Sequence, residues 1–112
     1  MAAFIVFLTA VVFMILMSAR ADRRFASHQR LPMQWGFDGS VNWSASRRVA
    51  LAFTPALAIA VMCGIGLLAS RTVPANEQNE FAMVAVVIGI GFIATHALHL
   101  WLISRSVESG RN

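Results

Sequence analysis

Charge is scarce in this sequence, and its basic residues are all arginine. It contains no lysine, five acidic residues and nine arginines, and charged residues make up 12% of its 112 residues. Apolar residues make up 58%, and the mean hydropathy is +0.68. Soluble domains contain roughly half apolar and a quarter charged residues. A chain of one-domain length cannot bury this much apolar surface in a soluble core. The composition therefore predicts an integral membrane protein.

Other absences exclude several classes of chemistry. Cys63 is the only cysteine, so no intrachain disulfide can form and the redox compartment is not indicated. The long apolar runs contain no Asp, Glu, Lys or Arg. Ion-coupled transport usually requires such a group inside the membrane, so we do not expect transport by this chain alone. No nucleophile–base pair, glycine-rich phosphate loop or carboxylate pair can be assembled, so we do not expect an enzyme.

The arginines give a sequence pI of about 11.5. In a soluble protein this value would suggest a nucleic-acid partner. No basic helix face or aromatic platform for bases accompanies the charge, so nucleic-acid binding is not expected. Arginines beside membrane spans set orientation and contact anionic lipid, so the expected first partner is the bilayer.

Three apolar runs predict an all-α membrane protein with three transmembrane helices in one domain, residues 1–112. The spans are predicted at about 2–19, 49–69 and 81–103, close to the roughly 20 residues that cross a bilayer core. The first run could instead be a cleaved signal peptide. No basic residue precedes that run and three arginines follow it, which favours a retained anchor.

The distribution of arginine predicts the orientation. Six arginines fall between the first two spans and two in the C-terminal tail, whereas Arg71 is alone on the opposite side. The positive-inside rule then predicts an N-terminus outside and a cytoplasmic C-terminus. Arginine without lysine, together with much alanine, is typical of a GC-rich bacterial genome, so the expected location is a bacterial inner membrane.

The segment between the first two spans is predicted to be a structured loop at about 31–44. It contains two Trp, two Gly and one Pro, and Asp38-Gly39 is a favourable turn pair. A solvated linker does not need two Trp, so we expect the loop to be ordered at the membrane surface. Ser44 is predicted to cap the second helix, because its hydroxyl can accept from free backbone N–H groups.

The residues of this loop carry a resemblance. They are Leu31-Pro32-x-Gln34-Trp35, Gly39, Asn42-Trp43-Ser44 and Arg47. The pattern resembles that of an uncharacterised bacterial membrane-protein family, the domain of unknown function at the N-terminus of SdpI-type immunity proteins. There, Pro-x-His-Trp precedes a Gly, an acidic or amide residue, an aromatic, a small residue and a Lys, between two spans. This chain has Gln34 in place of the His and Arg47 in place of the Lys. It is also shorter, so the resemblance does not imply immunity activity.

Small residues recur every four positions along the second span. Ala52, Ala56, Ala60 and Gly64 form this stripe, and Ala85 and Gly89 make a shorter pair in the third span. Such spacing lets membrane helices approach closely, so we expect packing against a helix of this chain or of a partner. Pro55 should bend the second helix or weaken one hydrogen bond.

His96 and His99 are the only ionisable side chains inside a predicted span. They can be interpreted as haem or metal ligands, or as groups that hydrogen-bond to neighbouring helices. No His on another span completes a bis-histidine haem site, and the pair supplies only half of a zinc site. No cofactor is therefore expected.

Three hypotheses for function remain. The first is an accessory or interaction subunit that binds another membrane protein or itself. The second is an SdpI-type immunity or signal-transducing protein, on the resemblance alone. The third is a haem- or metal-binding subunit, on His96 and His99 alone.

Overall fold

A computed structural model of the protein describes residues 2–108. Its order is α1 (Ala2–Arg24), β1 (Arg30–Trp35), β2 (Val41–Ser46), α2 (Arg47–Thr72), a short 3₁₀ turn (Ala75–Glu77) and α3 (Gln78–Glu108). Three helices are long and apolar enough to cross a membrane, which confirms that part of the predicted fold class.

The helices extend beyond the predicted spans. α3 continues to Glu108, whereas the prediction ended it near residue 103. Backbone hydrogen bonds continue a helix into polar sequence where no Pro or Gly intervenes, so the end of an apolar run does not mark the end of the helix. α1 ends at Arg24, beyond the predicted span end near residue 19, and turn residues follow it.

The predicted all-α class is incomplete because the loop is a β-hairpin. β1 and β2 pair antiparallel, with Arg30 opposite Ser46 and Trp35 opposite Val41. The prediction of a turn at Asp38-Gly39 is confirmed: Gly39 has φ 85°, and its N–H donates to the Gly36 carbonyl at 3.0 Å. The Asp38 carboxylate accepts from the Ser40 hydroxyl at 2.6 Å, which further fixes the turn.

The predicted cap of α2 was two residues too early. Ser44 lies in β2 opposite Pro32, and the N-cap is Ser46, whose hydroxyl accepts from the Val49 N–H at 3.4 Å. Strand pairing occupies Ser44, so the helix can begin only after the hairpin ends.

α1 lies between the other two helices, and α2 and α3 contact each other least. One core cluster joins all three helices and comprises Phe7, Ala10, Met14, Ala58, Met62 and Ala85. α1 is therefore the central helix of the bundle, against which both α2 and α3 pack.

A second core cluster fixes the hairpin across one end of the bundle. It comprises Ala21, Phe25, Leu31, Ala50, Leu51 and Ile103, with Met33 and Trp35 packed against it. The hairpin contacts α2 and α3 directly, so it is part of the folded unit and not a free connection.

The small-residue stripe of α2 does not pack against any other part of residues 2–108. Its exposed members are Ala52, Ala56, Ala60 and Gly64, and a Cβ built on Gly64 meets no atom within 4 Å. The inward face of α2 consists of Leu51, Thr54, Pro55, Ala58, Met62 and Ala69. α1 approaches α2 on this face, which excludes the intrachain form of the prediction and leaves the partner form.

The shorter pair in α3 is buried. Ala85 and Gly89 both face the core, and a Cβ built on Gly89 would lie 3.3 Å from the Ala10 Cβ. The absence of a side chain at Gly89 is what allows α1 and α3 to approach closely here.

Candidate functional site

A group of polar side chains lies inside the helix bundle near the hairpin. We call it the polar layer, and it comprises Ser18, Trp35, His96, His99 and Ser106. Buried polar groups cost free energy unless they are hydrogen-bonded. The partners of these side chains therefore show which parts of the fold the polar layer connects.

The polar layer begins at a backbone carbonyl that Pro55 deprives of its helical partner. Residue i+4 normally donates its N–H to the carbonyl of residue i, and Pro55 has no N–H to give to Leu51. Instead, the Ser18 hydroxyl of α1 donates to the Leu51 carbonyl at 2.7 Å. A neighbouring helix thus satisfies the group that the proline leaves open, as membrane helices with internal prolines require.

His96 extends this connection to α3. The imidazole is fully buried, and its Nε2 lies 2.8 Å from the Ser18 oxygen. Because the Ser18 proton is directed to Leu51, His96 must donate from Nε2 to the Ser18 oxygen. The chain His96–Ser18–Leu51 therefore joins α3, α1 and α2 at one depth.

Trp35 connects the hairpin to the same part of α3. Its indole N–H donates to the Ser106 hydroxyl at 2.5 Å, and its ring packs edge-on against His99 with centroids 5.9 Å apart. Indole combines a large apolar surface with one donor, which suits the boundary between an apolar core and a polar end.

Three imidazole nitrogens of the layer are buried without a hydrogen-bond partner among residues 2–108: His96 Nδ1 and both nitrogens of His99. No group of three or more His, Cys, Asp or Glu is placed to hold a metal ion in that range. His96 Nε2, the outer nitrogen in many ligating histidines, is already bonded to Ser18. The two residues by themselves do not make a complete metal or haem site.

The outer face of the hairpin contains the remaining loop residues. Trp43 is 50% exposed, and its indole N–H donates to the Gln34 side-chain oxygen at 3.0 Å. Asn42 is also exposed, whereas Pro32, which belongs to β1, is buried. Phe37 is fully exposed at the tip beside Gly39. The two tryptophans thus have different environments, with Trp35 turned inward and Trp43 outward.

Arg47 connects the ends of α1, the hairpin and α2. Its Nε donates to the Asp22 carboxylate at 2.8 Å, and its Nη1 donates to the carbonyls of Ala26 at 3.0 Å and His28 at 2.8 Å. Its backbone N–H donates to the Gln29 carbonyl at 2.8 Å. The planar guanidinium carries several donors in fixed directions, so one side chain serves the Asp22 carboxylate and the Ala26 and His28 carbonyls.

Reasoning from sequence missed Ser18, Asp22, Ser104 and Ser106. One signal was available: a proline inside an apolar run frees the carbonyl four residues earlier, and Ser18 is one of only two hydroxyl residues in the first run. Their pairing spans 33 residues of sequence, and only the packing of α1 on α2 brings them together.

Comparison of the chain with protein-family models, curated proteins and solved structures finds no match. The resemblance of the loop to the SdpI-associated domain therefore stays a prediction.

Proposed function

We propose that this chain is a membrane-embedded interaction subunit that docks onto another membrane protein, or onto a second copy of itself, through the exposed face of α2. The observation that carries the proposal is the stripe Ala52, Ala56, Ala60 and Gly64. It is built for close helix approach and has no partner within residues 2–108.

Side chains beside the stripe support a helical partner. Phe53 and Leu57 are about half exposed and flank the small residues on the same helix. Small residues between larger apolar ones form a groove into which a partner helix can pack. Lipid tails solvate any apolar surface equally well, so a regular run of small residues is better explained by a protein partner than by lipid.

The arrangement of the polar layer is consistent with a scaffold. Its hydrogen bonds join helix to helix and hairpin to helix. A rigid bundle presents the exposed face of α2 in one conformation, which lowers the entropic cost of binding a partner.

For orientation, we propose that the N-terminus lies outside the bacterial inner membrane and that the hairpin and the C-terminus lie in the cytoplasm. The eight-to-one arginine asymmetry supports this arrangement. Reporter fusions at Gln78 and at the C-terminus should report opposite compartments. Two reports from the same side would exclude three spans in this orientation.

The docking proposal is tested by Gly64→Leu. A Cβ at Gly64 has no atom of residues 2–108 within 4 Å, so the fold and its stability in detergent should be unchanged. It should hold a partner helix away from the stripe and weaken association by about tenfold or more, equivalent to about 1.4 kcal/mol. Association is measured by crosslinking in native membranes and by native mass spectrometry of the extracted complex.

Gly91→Leu is the matched control. Gly91 is exposed on α3, and a Cβ there also meets nothing within 4 Å. This variant adds the same apolar volume outside the stripe and should leave the complex intact. Equal loss with both variants would indicate a general effect of bulk. An unchanged complex with Gly64→Leu would reject the stripe as the docking surface.

A second candidate function is haem or metal binding by His96 and His99, with the remaining ligands supplied by a partner. The three unpartnered imidazole nitrogens favour it. A complex purified from native membranes should then show a Soret band or stoichiometric metal, and His99→Phe should abolish the signal. A colourless, metal-free complex would reject this candidate.

A further inference from the structure

A groove of about 640 Å³ lies between α1 and α3 at the hairpin end of the bundle. The residues that line it include Arg20, Arg24 and Arg105, together with Glu108. Three cations and one anion leave a net charge of +2 in the groove.

The three arginines are engaged to different degrees. Arg24 is already paired: its Nη2 donates to the Ser104 hydroxyl at 2.7 Å and to the Glu108 carboxylate at 3.2 Å. Arg105 stacks on the Trp101 ring, with its Cζ 5.0 Å from the ring centroid, and its guanidinium N–H groups donate to no residue within 2–108. Arg20 is exposed and donates to no residue within 2–108. The groove therefore holds two guanidinium groups with free donors.

The uncharged residues that line the groove are apolar apart from Ser104. Met17, Ala21, Ala97 and Leu100 line it along the two helices. Arg20 directly follows the apolar run of α1, and Arg105 follows that of α3, so both cations lie where a membrane would change from hydrocarbon to headgroups. A small-residue floor at Ala21 and Ala97 leaves room for a chain to lie between the helices.

We propose that this groove binds an anionic phospholipid, with the headgroup phosphate held by Arg20 and Arg105 and an acyl chain lying along Ala97 and Leu100. Guanidinium groups bind phosphate oxygens through paired N–H donors. Basic pockets between membrane helices recognise anionic headgroups in the same way. The site requires membrane insertion but is independent of docking through α2.

The test is native mass spectrometry of the full chain in mild detergent with phosphatidylglycerol and phosphatidylcholine at equal concentration. The wild-type protein should retain the anionic lipid about tenfold more than the zwitterionic one. Arg20→Gln with Arg105→Gln should reduce retention of phosphatidylglycerol by about tenfold, because both free guanidinium groups are lost. Equal retention of the two lipids by the wild type would overturn the proposal.

Two further variants separate a built site from general charge attraction. Arg48→Gln removes one exposed cation at the same end of the bundle outside the groove, and it should retain the lipid as the wild type does. Ala97→Leu keeps every charge but fills the apolar floor, and it should reduce retention. The proposal would be overturned if Arg48→Gln lost as much phosphatidylglycerol as the variant with Arg20→Gln and Arg105→Gln. It would also be overturned if Ala97→Leu retained the lipid fully.

Inorganic phosphate distinguishes a lipid from a free anion. Phosphate added to the detergent-solubilised protein should leave its melting temperature unchanged, whereas phosphatidylglycerol should raise it. If phosphate stabilised the protein as much as the lipid does, the groove would be assigned to a free anion and the lipid proposal would be overturned. Gly64→Leu should not alter lipid retention, so this proposal and the docking proposal fail separately.

Discussion

Replacing Ser18 with alanine is expected to lower the free energy of unfolding by about 1–2 kcal/mol. The substitution removes the donor to the Leu51 carbonyl and the acceptor for His96 Nε2 together. Both groups then lie in the bundle without a partner, and an unpaired buried group costs more than an average hydrogen bond contributes. The measurement is reversible unfolding in mixed micelles.

The Ser18 effect should depend on Pro55. In a Pro55→Ala background residue 55 regains an N–H that can donate to the Leu51 carbonyl, so the cost of Ser18→Ala should fall by roughly half. The remaining cost belongs to His96. An equal cost in both backgrounds would show that the freed carbonyl is not the reason for the serine.

Ser70→Ala is the matched control for Ser18→Ala. The Ser70 hydroxyl donates at 2.7 Å to the Leu67 carbonyl within its own helix, and the residue is exposed. The same substitution there removes only a local bond, so stability should change by less than about 0.5 kcal/mol. A Ser18→Ala variant as stable as Ser70→Ala would mean that the polar layer contributes nothing to the fold.

Replacing Arg47 with lysine is expected to lower stability by about 1–2 kcal/mol, although the charge is retained. A single ammonium group cannot reach the Asp22 carboxylate and the Ala26 and His28 carbonyls at once. The ion pair itself contributes little, because the Asp22 side chain is 55% exposed and solvent screens it. The two carbonyl contacts should account for most of the loss.

Arg48→Lys is the control for Arg47→Lys. Arg48 is the next residue, is exposed, and hydrogen-bonds to nothing within residues 2–108. Its replacement should leave unfolding unchanged. Limited proteolysis gives a second measurement: the connection at 25–29 should become sensitive in the Arg47→Lys variant only. Equal behaviour of the two variants would contradict the role assigned to Arg47.

The helices were predictable from sequence because the cause is local. Apolar runs near 20 residues long specify a helix wherever water is excluded, and each run lies within one of α1, α2 and α3. Their ends were less predictable. Ser104 to Glu108 is polar, yet it remains helical and contributes Ser104 and Ser106 to the contacts around the hairpin.

The hairpin was not predicted because its strands do not alternate regularly. Leu31 and Pro32 are adjacent and both buried, and the pairing register shifts between Pro32 and Gln34 and again before Trp35. These irregularities remove the period of two by which a strand is recognised. The Gly and Asp residues did indicate the turn, because their effect is confined to four residues.

The contacts of α2 show why a packing face cannot be chosen from spacing alone. The regular stripe at Ala52 to Gly64 is exposed, and the face that packs on α1 includes Leu51, Pro55 and Met62. Both faces are apolar and suitable for helix contact. The choice depends on where α1 and the hairpin lie, and that information is spread over distant parts of the chain.

The position of the hairpin has a consequence for biosynthesis. It lies between α1 and α2 in the chain, so it leaves the ribosome before α3, yet Trp35 finds its hydrogen-bond and ring partners on α3 at Ser106 and His99. Until the last helix has been made, part of the hairpin's apolar surface has nothing to cover it. In an incomplete chain this apolar surface is open to quality-control proteases. Synthesis of the final helix covers it.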